Sequence, residues 1–240
     1  MKSIKITKDD VFSTNAKNYT NKTATRKNYI EALGLWVSDP LHVSNKKLAA
    51  NIAILSLLEG KTCLNCKDCF KYCYAKKASI QYKNVRAHRV IMSYLAVNLP
   101  DVFFDLVKKQ LRGILANNSR RRVPVEFVRI HEAGDFFSTD YIAGWAAVAR
   151  EFPNLKFYFY TECAGLFDFS SFASMPNVNM VSSRLPDGNI NFDEEEVIIS
   201  RCEKLGVPVC PYRAGSDNPI KCGGGCKLCM SAPAVGFVKH

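Results

Sequence analysis

Four cysteines within eleven residues constrain this chain more than any other feature. Cys63, Cys66, Cys69 and Cys73 have the spacing C-x2-C-x2-C-x3-C, which bacterial ferredoxins use to hold cubane iron–sulfur clusters. We call these four residues the N-terminal quartet. In ferredoxins the fourth cysteine is followed by proline and ligates a different cluster, whereas Tyr74 follows it here. Either all four thiols therefore bind one cluster, or one of them reaches a second.

A second group of cysteines lies near the end of the sequence. It consists of Cys210, Cys222, Cys226 and Cys229, and we call it the C-terminal quartet. Its last three members have the C-x3-C-x2-C spacing that resembles the radical S-adenosylmethionine triad, in which one iron stays open for the cofactor. That triad normally follows the first barrel strand, and Cys210 offers a fourth ligand here. S-adenosylmethionine is therefore an alternative cofactor and not the main expectation.

The bulk composition favours metal binding over disulfide bonds. The chain has 240 residues, of which 48% are hydrophobic, and its first ten residues contain no apolar signal segment. Its longest apolar run, residues 52–58, is too short to span a bilayer. We therefore expect a cytoplasmic protein without a membrane partner, and reducing compartments keep thiols available for metals. Closely packed cysteines favour iron–sulfur clusters, [4Fe-4S] or larger, with zinc as the alternative.

The formal charge of +11 overstates how basic the metal-bound protein would be. Two cubanes with four thiolates each would remove about four charges. The densest basic patch contains Lys108, Lys109, Arg112 and residues 120–122. It could contact phosphate groups, but no aromatic residues interleave with its charges as stacking platforms would. A solvated helix face is the preferred interpretation, and nucleic acid is not an expected partner.

Strand and helix patterns alternate through most of the chain, which predicts parallel βαβ units. The predicted strands are residues 4–6, 33–39, 51–58, 125–131, 156–161, 179–183 and 207–210. The predicted helices are residues 76–99, 101–117, 139–152 and 193–205, with a short helical turn at 167–173. The sequence thus predicts one α/β domain over residues 1–240, folded as a partial TIM-like barrel of about five to six βα units. Residues 1–40 would be an irregular lead-in, and residues 211–240 a segment that closes the metal site.

Polar residues follow several predicted strands, and parallel strands present such residues at one rim. We predict that both quartets reach this C-terminal rim. The candidates for proton handling there are His131, Glu132, Asp135 and Glu162. For His131 the alternative is a buried, hydrogen-bonded side chain, and for Asp135 it is a local role in the turn after Gly134.

Five further side chains have candidate roles other than proton handling. Tyr160 and Arg184 are candidate cofactor contacts at the rim, where Arg184 could balance cluster charge. For Arg129 a surface salt bridge is the preferred interpretation. Cys202 lies within a predicted helix and is expected to be a core thiol. Cys163 is a candidate outside ligand near the rim.

Several dispersed motifs resemble one known family. They are Cys69-x3-Cys73-Tyr74-Ala75, the stretches 128–136 and 157–161, and the closing cysteines with Gly236 and Phe237. Over roughly residues 45–240 the chain resembles the gene-product-88 family of phage and bacterial proteins. The resemblance implies a cysteine-rich α/β protein encoded by a phage or prophage, acting in the cytoplasm of a bacterial host. It implies no particular reaction.

The leading functional hypothesis is a redox enzyme with one or two iron–sulfur clusters. A ferredoxin- or flavodoxin-type donor would supply electrons, and a small-molecule substrate would bind at the rim. The first alternative is a radical S-adenosylmethionine-type enzyme. The second is a zinc-stapled nucleic-acid-binding protein that uses residues 120–122.

Overall fold

A five-stranded, mostly parallel sheet forms the centre of the protein. The computed structural model describes residues 4–14, 28–66, 69–188, 193–212 and 220–238. The strands are β1 (Asn28–Ile30), β2 (Leu35–Val37), β3 (Leu41–Val43), β4 (Ile52–Leu55), β5 (Phe127–Ile130), β6 (Lys156–Thr161) and β7 (Val178–Ser182). β1 and β2 form a separate antiparallel hairpin. The sheet order is β3-β4-β5-β6-β7, with β3 antiparallel to β4 and the other neighbours parallel.

Seven α-helices accompany these strands in the described part of the chain. They are α1 (Lys8–Ser13), α2 (Tyr74–Gln81), α3 (Lys83–Asn98), α4 (Pro100–Ala116), α5 (Thr139–Glu151), α6 (Ser170–Ala173) and α7 (Glu195–Leu205). Local signals explain several of their ends. Pro100 stands in the first turn of α4, where its missing N–H costs nothing. The Ser138 side chain caps α5 by accepting a hydrogen bond from the Tyr141 N–H, and Gly206 ends α7 in the left-handed conformation. None of the described helices has the length and apolarity needed to cross a membrane.

Alternating side chains give the sheet two buried faces with different coverings. Ala53, Leu55, Val128 and Phe159 join the large apolar core that contains Trp145 of α5. We call this side the helical face. Because both faces of the sheet are covered, β4 is buried at every position.

The opposite face of the sheet is covered by the cysteine-rich C-terminal segment, and we call it the cysteine face. Ile52, Ile54 and Tyr158 contribute to a second buried cluster here. Cys229 and Val235 of the C-terminal segment pack into the same cluster. The sheet is thus a layer between α-helices on one side and an irregular, cysteine-bearing segment on the other.

Most predicted elements are confirmed, with four corrections. The strands at 51–58, 125–131, 156–161 and 179–183 correspond to β4–β7. The helix predicted for 76–99 is two helices, because Tyr82 has an extended backbone conformation. Residues 207–210 do not form a sheet strand, since Val209 makes only an isolated bridge with Gly236. Ile4 to Ile6 is not a strand but precedes α1, and residues 1–40 contain α1 and the β1–β2 hairpin.

The parallel part of the sheet has four strands and not the predicted five or six. Within the described residues, no pairing joins the edge strands β3 and β7. The α/β class is therefore confirmed, whereas closure into a partial TIM-like barrel is not.

Candidate metal centre

The N-terminal quartet lies on the loop that leaves β4 at the C-terminal rim, as predicted. This loop packs closely on the segment that follows β5. Gly134 has φ +86°, and a Cβ atom there would lie 2.7 Å from both Leu57 Cβ and Thr62 Oγ1. Asn65, between the first two cysteines, donates a hydrogen bond of 2.9 Å to the Glu162 carbonyl after β6. Contacts to two neighbouring strand ends thus hold the loop.

The thiols of the N-terminal quartet are close together and only partly covered. Cys66 Sγ and Cys69 Sγ lie 3.3 Å apart, and Cys69 is exposed whereas the other three are half-buried. Hydrogen bonds from Cys63 and then Cys69 lower the pKa of the Cys66 thiol to about 6. Burial raises the pKa of Cys69 to about 12, and the hydrogen bond to Cys66 adds to this effect. The Cys66 thiol therefore ionises at a lower pH than the Cys69 thiol.

Asp135 joins the two strand ends beneath this loop. Its carboxylate accepts hydrogen bonds from the Phe136 N–H at 2.7 Å, Thr161 Oγ1 at 2.8 Å and the Glu162 N–H at 2.9 Å. Burial raises its pKa to about 6 in spite of these bonds. The hydrogen bond to Cys66 and burial raise the pKa of the Cys63 thiol, and the negative charge of Asp135 adds to this effect. Asp135 therefore does stabilise the turn after Gly134, through its hydrogen bond with the Phe136 N–H. Proton handling by Asp135 stays a prediction.

Glu132 is tied to the elements around β4. Its carboxylate accepts hydrogen bonds from Asn45 at 2.8 Å and Ser56 at 3.1 Å, and lies 3.8 Å from Arg89. Tyr74 follows Cys73 in the sequence, and its hydroxyl donates a hydrogen bond to the backbone carbonyl of Glu132. Glu132 therefore lies beside the N-terminal quartet but is already engaged with structural partners.

Glu162 and Arg184 also lie at this rim and pair with each other. Arg184 Nε is 3.4 Å from Glu162 Oε2, and the arginine side chain is half exposed. A second Arg184 nitrogen donates to the Gly188 carbonyl at 3.2 Å. The predicted rim residues after β6 and β7 are therefore together, close to the loop that Asn65 anchors.

His131 is buried within the aromatic core of the helical face. Its backbone has φ +64°, and its Nε2 lies 2.9 Å from the Tyr141 hydroxyl. The ring packs edge-on against Phe136, and burial lowers the pKa of His131 to about 3. His131 is therefore a neutral imidazole in the core at neutral pH, and its proposed proton transfer stays a prediction.

The C-terminal quartet lies on the cysteine face and not at the predicted rim. All four of its thiols line one cavity of about 10 Å³, together with Tyr158 and Tyr160 of β6 and with Val235. Cys210 and Cys229 are buried, and the other two are half-buried. The prediction that both quartets share the C-terminal rim is wrong, because Cys210 does not end a sheet strand and the segment crosses the sheet instead.

Hydrogen bonds hold the C-terminal quartet against the segment before β4 and against the edge strand β7. The Ala49 N–H donates to the Cys222 carbonyl at 2.9 Å, and the Gly223 N–H to the Cys226 carbonyl at 2.7 Å. Asn179 of β7 donates to the Cys229 carbonyl at 3.0 Å. Gly223 has φ +80°, and a Cβ there would lie 2.7 Å from Ile52 Cδ1. Glycine is therefore required where the loop meets the start of β4.

Two cations and two tyrosines surround the C-terminal quartet. The Arg129 guanidinium lies 5.0 Å from the centre of the Tyr160 ring, and its charge acts on Cys222 and Cys229. Burial lowers the pKa of Lys47, and the positive charge of Arg129 lowers it further. The nearby thiols Cys222, Cys210 and Cys229 raise this pKa and so act in the opposite direction. Cations beside several thiols favour an anionic occupant.

Arg129 has neither an ion pair nor a partner for its Nε atom among the described residues. The surface salt bridge predicted for it is therefore wrong. The Tyr158 hydroxyl on the same face is likewise buried without a hydrogen-bond partner, whereas Tyr160 interacts with the Cys229 thiol. Buried polar atoms usually have partners, so these two atoms are suited to contact a group bound at this site.

Sequence reasoning missed Lys47 and Tyr158. Tyr158 and Tyr160 alternate along one strand, so their common face could have been predicted from the period of two. Nothing in the sequence signals Lys47, which reaches the site because residues 47–49 pair with Cys222.

The two remaining cysteines lie outside both quartets. Cys163 is fully buried, and its thiol faces Asp135 Oδ2 at 3.5 Å. Cys202 is a core thiol of α7, as predicted, and a Cβ on Gly236 would lie 2.3 Å from its Sγ. Neither lines the cavity of the C-terminal quartet.

The described side chains do not form a ready-made site for a single ion. No group of three or more His, Cys, Asp or Glu residues in this part of the chain is arranged to hold one metal ion. The thiols of the C-terminal quartet instead surround a cavity. Four thiolates can hold either an iron–sulfur cluster or one tetrahedral zinc ion, so the occupant of this site stays a prediction.

Comparisons with known proteins place the chain in a family without assigning a reaction. Two relatives are each named "Gene 88 protein", from Mycobacterium phage D29 (28% identity over 127 residues) and Mycobacterium phage L5 (29% identity over 127 residues). The match covers 50% of this chain and 50% of each relative, so the chain spans about half the length of these relatives. No solved structure matches the chain.

The family profile described as "Gene product 88" matches residues 13–200. This range begins before residue 45, where the resemblance seen in the sequence begins, and it includes the N-terminal quartet. It ends before Cys210. Since it covers well over half of the 240 residues, the chain belongs to the gene product 88 family.

Proposed function

We propose that this chain is an iron–sulfur protein whose C-terminal quartet holds a [4Fe-4S] or larger cluster. One observation carries the proposal: the four cysteines line a single cavity on the cysteine face, beside the Tyr158 hydroxyl and Arg129 Nε, which have no hydrogen-bond partner among the described residues. Thiol ligands, a hydroxyl donor and a cation are the groups that hold a cluster and tune its potential.

The number of thiols favours a closed cluster over an open one. Cys210 lines the same cavity as the C-x3-C-x2-C triad, so four ligands are available. Radical S-adenosylmethionine chemistry needs one iron free of protein ligands, and that alternative is correspondingly weaker. A structural zinc ion would draw all four sulfurs to about 2.3 Å from one point. Zinc therefore stays the alternative occupant, and metal analysis distinguishes it from a cluster.

Electrostatics support a cluster of moderate negative charge. A cubane with four thiolates carries about two negative charges, and Lys47 and Arg129 supply two positive charges beside it. Uncompensated charge in a buried site is costly. The two cations would therefore stabilise the site when the cluster is bound. Without the cluster they would repel each other.

The proposed activity is electron transfer to a small-molecule substrate, which is the chemistry a bound cluster supplies. The N-terminal quartet would hold a second cluster at the rim, where its exposed Cys69 edge faces a ferredoxin- or flavodoxin-type donor. Glu162 and Arg184 lie at the same rim and would orient the substrate. In this proposal the sheet is part of a partial TIM-like barrel, and the substrate binds in the pocket that the ends of its parallel strands form.

Metal analysis of anaerobically purified protein tests the proposal directly. We expect brown protein that contains iron and acid-labile sulfide. The variant Cys226→Ala should lose iron, and the matched control Cys202→Ala should retain it, because Cys202 lies in the core of α7. Colourless protein that contains zinc without iron or sulfide would contradict the proposal.

A further inference from the structure

Six exposed cations lie on the loop of the N-terminal quartet and on the two helices that follow it. They are Lys61, Lys71, Lys76, Lys77, Lys83 and Arg86, and we call them the cationic surface. None of the six forms an ion pair with a residue that the structure describes. Residues 69–88, which contain five of them, include no acidic residue. The cationic surface thus carries positive charge that has no partner within the described chain.

Phe70 joins this surface to the exposed thiol of the quartet. Phe70 follows Cys69 in the sequence, and Lys76 Nζ of α2 lies 4.6 Å from the centre of its ring. The same ring packs on Gly60, where a Cβ atom would lie 2.7 Å from Phe70 Cε2. The chain before Lys61 and the start of α2 therefore both adjoin the residue next to Cys69.

The cationic surface extends from this loop to α3. Hydrogen bonds from Thr7, followed by the charges of Lys61 and Arg86, lower the pKa of Asp10 in α1. Lys61 and Arg86 therefore lie near the same carboxylate, which Thr7 already occupies through its N–H and its hydroxyl.

The packing of α2 on α3 turns the lysines of α2 outward. The buried Arg89 of α3 donates hydrogen bonds to the Ala75 carbonyl at 2.8 Å and to Ser79 Oγ at 3.0 Å. Ala75 and Ser79 are the buried residues of α2. Lys76 and Lys77 are exposed, on a helix that these bonds hold in place.

Four of the cations stand where helix electrostatics disfavour them. Lys76 and Lys77 lie near the start of α2, and Lys83 and Arg86 near the start of α3, and neither helix has an acidic residue in its first turn. The macrodipole places partial positive charge at a helix N-terminus, so cations are unfavourable there. Local stability therefore does not account for these four residues, and an anionic partner would offset the repulsion.

Apolar side chains accompany the charges and indicate a protein partner. Ile80 is 72% exposed and Tyr82 is 48% exposed. An aliphatic side chain is readily buried against another protein, whereas binding of nucleic acid relies on phosphate contacts and aromatic stacking. The surface also adjoins Cys69, which is the exposed thiol of the quartet.

We propose that the cationic surface docks a small acidic electron-transfer protein, with the cofactor of that protein directed at the N-terminal quartet. The inference rests on the proposed electron-transfer function and identifies the surface that the donor uses. Complementary charges speed the encounter and orient the partner more than they raise the affinity. The complex is therefore short-lived, as repeated electron delivery requires.

Fluorescence anisotropy of a labelled bacterial flavodoxin, a small acidic redox protein, tests the docking with the full chain at low salt. We expect saturable binding that weakens as salt is added, and no binding of a basic cytochrome c. The double variant Lys76→Glu/Lys77→Glu should bind flavodoxin about tenfold more weakly or worse. Its fold should be retained, because glutamate is favourable near a helix N-terminus.

A matched control reverses two charges of the other basic patch. Arg120 and Arg122 are exposed and precede β5, whereas the N-terminal quartet follows β4. Because β4 and β5 are parallel, the two patches lie at opposite ends of the sheet. Arg120→Glu/Arg122→Glu should therefore bind flavodoxin like wild type.

Carbodiimide cross-linking, which joins lysine amines to carboxylates, maps the contact independently. Mass spectrometry should find the links to flavodoxin at Lys76 and Lys77. Links at Lys108 and Lys109 instead would overturn the inference.

The outcomes separate this inference from the proposed function. Iron-containing protein that fails to bind flavodoxin, or unchanged binding in Lys76→Glu/Lys77→Glu, would overturn the docking surface and leave the iron–sulfur function standing. Protein without iron and sulfide would overturn that function by metal analysis, whatever it binds. Tighter binding of oligothymidine or of anionic lipid vesicles, lost in the same variant, would overturn the inference and assign the surface to that ligand.

Discussion

The two cysteine quartets use the same ligand chemistry in opposite surroundings. The N-terminal quartet lies at the strand ends, with Cys69 exposed and the carboxylate of Asp135 acting on its thiols. The C-terminal quartet lies on a face of the sheet, where Cys210 and Cys229 are buried and both neighbouring charges are cationic. Cysteine spacing alone does not reveal this difference.

The difference suggests a division of labour between the two sites. Nearby carboxylates disfavour added negative charge, whereas nearby cations favour it. If both sites hold clusters, we expect the C-terminal cluster to have the higher reduction potential. The exposed N-terminal site would then exchange electrons with a donor, and the covered C-terminal site would retain them.

Truncation after Pro211 should have the largest effect on stability and metal content. It removes three cysteines and uncovers Ile52, Ile54 and Tyr158 on the cysteine face. Each such side chain contributes about 1.5–3 kcal/mol of burial energy, so the melting temperature should fall by at least about 10 °C. Calorimetry and iron analysis measure both effects. Full iron content with an unchanged melting temperature would show that the segment is an independent appendage.

Single replacements in each quartet should separate stability from metal content. Cys229→Ala should lower iron content by about half and also destabilise the protein, because Cys229 is part of a buried cluster. Cys69→Ala should remove a similar share of iron with a smaller loss of stability, because Cys69 is exposed and only the stabilisation by the metal is lost. Iron analysis and thermal unfolding of both variants provide the measurement. Complete iron loss in either variant would instead indicate one cluster shared by both quartets.

The smallest expected effect is a change in reduction potential. In Arg129→Met the C-terminal cluster loses a neighbouring cation, so the oxidised state gains relative stability and the potential should fall by tens of millivolts, where about 59 mV corresponds to a tenfold change for one electron. The control is Arg184→Met, at the rim and paired with Glu162, which should leave that potential nearly unchanged. Equal shifts in both variants, measured by redox titration, would remove the proposed contrast between the sites.

Much of the fold was predictable, because its signals are local. β4–β7 and the main helices follow from apolar runs, strand–helix alternation and capping residues such as Ser138. The loop of the N-terminal quartet was also predictable, since a loop after a parallel strand must emerge at the rim. The break at Tyr82 was missed, because α2 and α3 continue one helical pattern across it.

The site of the C-terminal quartet could not be predicted in the same way. Residues 207–210 have strand-like composition, yet Val209 pairs only with Gly236. Competition between sheet pairing and local pairing depends on the whole segment, and a short apolar run cannot decide it. Arg129 was assigned to the surface for a similar reason: its burial depends on the segment that covers the face.

The sequence by itself determined which residues could bind metal and which segments form strands and helices, because spacing and periodicity act over a few residues. Only the tertiary structure decided that one quartet lies at the rim and the other on a face. It also brought Lys47, Arg129 and Tyr158 to the cysteines. These groups are far apart in sequence, so their meeting depends on the order of strands in the sheet and on the path of the final segment across it.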